Sequence, residues 1–286
     1  MSSVPRLWLL AGPPFASNWY RHVVARLGEL RADLGVESVT VSPLGGSWSE
    51  SATALSSRIA PGDVVFAHGL AVPVACAVAS EVRLGALVLS NGPLRRVDSA
   101  TATLQRIAAV PGLGALPFFR LPWLAWLRSS GGLRRAVNNP YAMDRDTVAA
   151  VCGELVASPA GSFALRRWLA SLRAPWPDPA LLPGRVTLLW GDNDSLHPLA
   201  EADEIDAVRG GGSIVVQPGG RFAWPEEMPW ALADAVLAAV DAVAPKGPPV
   251  TAAPAPEARK AAGTTPKSRK AVRGRGAGAG GANETR

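Results

Sequence analysis

Short apolar runs alternate with segments of helical spacing through the first ninety residues. Residues 6–10 form a nearly continuous apolar stretch that ends in Ala11-Gly12-Pro13-Pro14. Residues 18–31 follow, with Trp19, Val23, Val24, Leu27 and Leu30 spaced to share one helix face. Residues 37–41 alternate as a strand, and 49–59 carry a helical pattern opened by Ser47 or Ser49. An apolar strand at 63–66 leads through a tight turn into a small-residue helix at 72–79. Another strand, 86–90, is closed by Asn91-Gly92-Pro93. Continuous apolar strands separated by helices predict a parallel sheet covered on both faces.

The rhythm breaks over 94–179, a helical stretch punctuated by Pro and Gly that contains Trp123, Trp126, Trp168 and Trp176. It resumes with a strand at 185–190, a helix at 198–208, a strand at 213–217 and a closing helix at 230–243. The predicted architecture is α/β: a mostly parallel sheet flanked by helices, built from 1–93 and 180–243, with 94–179 inserted as a helical cap. Inside that cap, Pro117 and Pro122 divide 111–127 into two short helices. Residues 244–286 hold almost no large apolar side chain. Burial there cannot offset ordering entropy, so a disordered tail is expected.

Composition sharpens this division. The chain is 48% hydrophobic, ample for a large core, and its net charge is +6. The tail carries nine Lys and Arg against two Glu, whereas 1–243 hold 20 Arg, no Lys and 21 acids. Basicity belongs to the tail, and the body summed as a whole has no polyanion-binding signature. The tail has no aromatic residue to stack on bases. It reads either as a solubilising extension or as a weak, salt-dependent tether to a polyanion or a protein partner. Cys76 and Cys152 are too few for a disulfide framework and lie in no metal-ligand spacing; Cys76 reads as a buried thiol. No signal-peptide core and no run of ~20 apolar residues is present. These features predict a cytoplasmic protein without cofactor or metal.

The segment 64–71, Val-Val-Phe-Ala-His-Gly-Leu-Ala, has the form of a nucleophile elbow, in which a strand turns sharply into a helix. Three further landmarks stand in order around it. Leu9-Leu10-Ala11-Gly12-Pro13-Pro14 forms a turn after the first strand. Leu189-Trp190-Gly191-Asp192-Asn193-Asp194 closes a later strand, and Pro218-Gly219-Gly220-Arg221-Phe222 precedes Pro225-Glu226. Together they resemble the α/β-hydrolase superfamily, in its capped esterase- and dehalogenase-like branch. The likeness spans residues 6–243 apart from the cap.

That resemblance implies a serine triad, yet the matching positions do not supply one. Gly69 stands at the nucleophile and has no atom that can attack. Arg221 stands at the histidine and stays protonated, so it cannot be a general base. At the oxyanion hole Leu70 retains its N–H, while Pro13 has none to donate. Asp194 remains at the acid's position without a histidine to orient. The degenerate set is therefore Gly69, Asp194 and Arg221.

Other chemistry is left to three histidines. His22 reads as a surface residue. His68 supports the elbow or takes part in acid–base work. His197, near Asp194, is either a proton-transfer partner of that acid or a solvated loop residue. Arg221 either favours an anionic ligand or forms a salt bridge with Asp194. Phosphate-loop, dinucleotide and zinc or calcium spacings are absent. The sequence thus predicts a pseudoenzyme that binds a small apolar or acidic ligand, or a partner, beneath the cap. Pro13, Leu70, Trp123, Trp126 and Arg221 would line the site. The alternatives are an enzyme using His197 and Asp194, and an assembly protein recruited through its tail.

Overall fold

The computed structural model describes residues 5–42, 46–173 and 175–243; the expectation made for 244–286 lies outside them. Six strands form one wholly parallel sheet: β1 (Leu7–Ala11), β2 (Val36–Thr40), β3 (Val64–His68), β4 (Ala86–Ser90), β5 (Val186–Gly191) and β6 (Ile214–Gln217). Their order is β2-β1-β3-β4-β5-β6. Every residue of β1, β3 and β4 is buried, whereas β6, at the edge, is half-exposed. The continuous apolar runs are therefore central strands and the weaker patterns edge strands.

Right-handed crossovers decide where the helices go. The chain moves one way from β1 to β2 and the other way from β2 to β3. That reversal puts α1 (Arg21–Leu30) and α2 (Trp48–Ser56) on opposite faces. The next helix, α3 (Val72–Glu81), packs beside α2. Ser47, rather than Ser49, caps α2, its hydroxyl accepting from Glu50 N at 3.2 Å. Between β4 and β5 come α4 (Ser99–Ala109), α5 (Arg120–Leu127), α6 (Arg145–Cys152) and α7 (Pro159–Ser171). Of the two short helices expected in 111–127, α5 is one; the other is a 3-10 segment, Gly112–Phe118, containing Pro117. After β5 follow α8 (Leu199–Val208), the single turn α9 (Trp224–Glu227) and α10 (Pro229–Val243), which packs against α1.

The strand order reverses between β1 and β3, and ligands in open α/β sheets bind at the carboxyl ends beside such a reversal. Two chain segments meet there without side chains between them. A Cβ on Gly12 would lie 2.3 Å from Ala71 N and 2.6 Å from Leu70 C, so the turn after β1 packs directly on the turn after β3. Both contacts are with backbone, which cannot swing aside. Gly12→Ala is expected to lower stability by about 3 kcal/mol, with the loss read from urea denaturation. A wild-type midpoint would show that the two turns are not held in this contact.

Candidate functional site

Gly12, Gly69, Asn91, Asp194 and Phe222 all follow the carboxyl ends of strands, and the loops bring them together. Gly69 has φ of +59°, a left-handed conformation natural to glycine. Its turn is clasped from a second side, because a Cβ on Gly92 would stand 2.4 Å from Gly69 O. The backbone of an elbow is thus in place.

The space above it is filled. A Cβ built on Gly69 would lie 3.0 Å from Cζ and 3.3 Å from Cε2 of Phe222. The Phe222 ring is buried and lies 4.9 Å from the ring of His68, 5.5 Å from His197 and 5.8 Å from Phe15, centroid to centroid. Phe15 in turn stacks on Trp19 at 3.7 Å. The side chain that faces Gly69 is therefore Phe222 and not Arg221, as the sequence had suggested. Segment 221–224 is tied to the helical insertion through Ala223 N, which donates to Ala136 O at 2.8 Å. With that anchor Arg221 points aside, donating from Nη1 to Val137 O at 3.2 Å. The salt bridge expected between Arg221 and Asp194 does not form.

Asp194 has other partners. Asn91 Nδ2 donates to its Oδ2 at 2.9 Å, and Leu196 N donates to Oδ1 at 2.8 Å. Asn91 Oδ1 in turn accepts from Gly191 N at 2.9 Å and Trp224 Nε1 at 3.0 Å. The buried, positive-φ Asn91 holds the loops after β4, β5 and β6 together. Burial still pushes the Asp194 carboxyl above its ordinary range.

The histidines divide as follows. His22 is exposed, as expected. His197 is buried, which corrects its reading as a solvated residue. Its carbonyl accepts from Trp190 Nε1 at 2.8 Å, and among the described residues no hydrogen bond joins its ring to Asp194. His68 is buried beneath Phe222 with Nδ1 3.2 Å from Ser90 Oγ. Burial lowers both histidines, His68 to about 3, with the neighbouring His197 adding to the effect on His68. Cys76 is buried as expected, and burial raises its thiol well above the ordinary value.

A cavity of about 60 Å³ lies between this edge and the insertion. That is room for about two waters at the ~30 Å³ each takes in the liquid, or for a very small guest. Pro13 and Leu70 line it from the sheet side and Trp123 and Trp126 from the insertion; Arg221 does not reach it. His197, Asp98 and Arg135 add polar groups to the wall. Among the described residues no cluster of His, Cys, Asp and Glu could hold a metal, and no helix is long and apolar enough to cross a membrane.

Solved structures decide the fold. An esterase from Thermogutta terrifontis superposes with a TM-score of 0.57 at 18% identity, over 85% of this chain and 92% of that one. The chain adopts the α/β-hydrolase fold. The haloalkane dehalogenase DbeA from Bradyrhizobium elkani matches at 0.64 and 14% identity, over 85% and 92% of the two chains. The epoxide hydrolase CorEH matches at 0.62 and 16%, over 83% and 91%. No family model and no curated protein matches the sequence.

Sequence reasoning missed two residues. Asn91 was legible as a turn former but carried no sign that it would bond Asp194. Phe222 was read as the residue after the histidine's place, and a single-residue shift in that loop hides its contact with Gly69. The buried histidines make a pH prediction. Below about pH 6.5 the unfolded chain takes up protons that folded His68 and His197 refuse, so stability falls as pH falls toward 3. Asp194, with a raised folded value, acts in the opposite sense and offsets part of that loss. Between pH 6 and 5, His68→Gln should reduce the slope of unfolding free energy by about 1.4 kcal/mol per pH unit. An unchanged slope in urea titrations would show that His68 is protonated in the folded state.

Proposed function

We propose that this chain is a non-hydrolytic protein of the α/β-hydrolase fold that binds a small apolar ligand beneath a helical cap formed by 94–179. The observation that carries this reading is the Phe222 ring lying where a nucleophile on residue 69 would project. Gly69 lacks an attacking atom, Arg221 faces Val137, and Asp194 is engaged by Asn91. In a serine triad, loss of the nucleophile or base alone lowers turnover by roughly 10⁶-fold. The absence of both argues against serine chemistry here.

The cavity supports binding. Leu70 and Pro13 face Leu104, Leu127, Trp123 and Trp126 across it, an apolar lining suited to an apolar guest. The acidic-ligand reading rested on Arg221, which is turned away. The cavity's size restricts a guest to a few heavy atoms unless the walls move.

Purified full-length protein should neither turn over p-nitrophenyl esters nor take a fluorophosphonate label. Apolar molecules of a few heavy atoms, such as dichloromethane, should raise its melting temperature, by an amount set by concentration over Kd. Turnover abolished by His197→Ala would instead establish the enzyme reading. Gly69→Ser gives a second test. Its new side chain meets Phe222 in a positive-φ position, so it should remain unlabelled and lose about 2 kcal/mol of stability. A stable, strongly labelled Gly69→Ser protein would show that Phe222 does not close the elbow.

A further inference from the structure

The near-neutral charge of the body conceals a division. Residues 99–143 hold five arginines (Arg106, Arg120, Arg128, Arg134 and Arg135) and no Asp or Glu. The rest of 1–243 holds 15 arginines against 21 acids. The segment is thus a cationic stretch of an otherwise acidic body, and none of its arginines is held in an ion pair among the described residues.

Large apolar side chains also reach solvent in and beside this segment. Leu121 is 82% exposed, Leu116 54% and Val110 51%, and Phe163 on the neighbouring helix is 45% exposed. Val110, Leu116 and Phe163 lie close together, and Leu121 follows on α5. Phe119 meets Phe163 edge-on at 5.7 Å, and Arg166 donates to Val110 O at 2.8 Å. An apolar groove runs along Ile107, Leu116, Pro117, Phe119 and Pro122, and Phe119 carries it to Phe163. Arginines flank this patch at helical spacing. Arg106 precedes Val110 by four residues, Arg128 follows Leu121 by seven, and Arg167 follows Phe163 by four.

We infer that this face docks on an anionic lipid surface, with Leu116 and Leu121 entering the acyl boundary and the interspersed arginines meeting headgroups. Exposed aliphatic side chains interspersed with cations match that interface in both its apolar and its charged part. A second copy fits poorly, because two such faces carry the same sign of charge. The chain's own tail is also cationic and is excluded on the same ground. Leu104, Trp123 and Trp126 line both this groove and the cavity beneath the insertion, so an apolar molecule leaving the bilayer would meet the cavity wall directly.

The experiment is vesicle co-sedimentation of the full-length chain at low and high salt. One set of vesicles is phosphatidylcholine alone, and the other is one-third phosphatidylglycerol. Three full-length variants accompany it: Leu116→Ser with Leu121→Ser; Arg106→Gln with Arg128→Gln and Arg167→Gln; and glutamine at Lys260, Lys267, Arg269, Lys270, Arg273 and Arg275. The wild type should sediment with anionic vesicles and not with neutral ones, and high salt should release it. The arginine triple should weaken partitioning on the order of a hundredfold, at about fivefold per charge. The leucine pair should weaken it at least ~10-fold, with a wild-type melting curve, since both side chains are exposed. A quencher carried on the acyl chains should dim tryptophan fluorescence in the wild type and not in the leucine pair. Sedimentation that survives both face variants, or that is lost in the tail variant alone, overturns the inference. So does a dimer in solution that the leucine pair dissolves, which would assign the face to a second copy.

Discussion

The Phe222 ring lies against the one residue of the elbow that has no side chain, and much of the site follows from that contact. A planar ring needs a flat floor, and the Gly69 backbone supplies it. Around the ring stand His68, His197 and Phe15, so two imidazoles are drawn into an aromatic cluster instead of facing solvent. Burial there keeps both histidines neutral, and a neutral imidazole packs against phenyl faces at little electrostatic cost. The same contact goes with Arg221 turning outward, since residues 221–224 form a hydrogen-bonded turn from which Arg221 and Phe222 leave on different sides.

A buried carboxylate without a histidine needs other donors, and Asp194 has them in Asn91 and Leu196 N. Asn91 is suited to this place for two reasons. Its side chain donates and accepts at once, joining the β5 backbone, Trp224 and Asp194. It also tolerates the positive φ at the end of β4 better than most residues do. The network fastens three loops at the carboxyl edge and fixes the loop from which Phe222 reaches Gly69.

The fold was largely legible in the sequence because its signal is local. Each central strand is a continuous apolar run, and each flanking helix shows its own periodicity. Pro13 and Leu70 were read from the order of the landmarks and Trp123 and Trp126 from the apolar stretch of the insertion, and all four line one space. Contacts between loops were not legible. Whether Arg221 or Phe222 faces Gly69 depends on one residue of register in a loop tied to Ala136, far away in sequence. The partner of Asp194 likewise lies about a hundred residues distant. His197 was misread because its loop looked polar, while its burial comes from Trp190 and Phe222. Charge failed in another way: a sum over the body cancels what a sum over the insertion reveals.

The retained elbow has a physical explanation that needs no catalytic purpose. In a working hydrolase a strained turn serves to present the nucleophile. Here the turn holds its left-handed glycine although residue 69 presents nothing. Gly12 packs against Leu70 and Ala71, and Gly92 packs on the carbonyl of Gly69, at distances that admit no Cβ. Relaxing the turn would separate three backbone segments at the centre of the sheet and open voids between them. A cavity-forming rearrangement of that kind costs several kcal/mol in a packed core, more than one glycine at positive φ can cost. The geometry of the elbow is thus a packing requirement of the fold and does not depend on a side chain at residue 69. The volume above that glycine is occupied from the other side by Phe222.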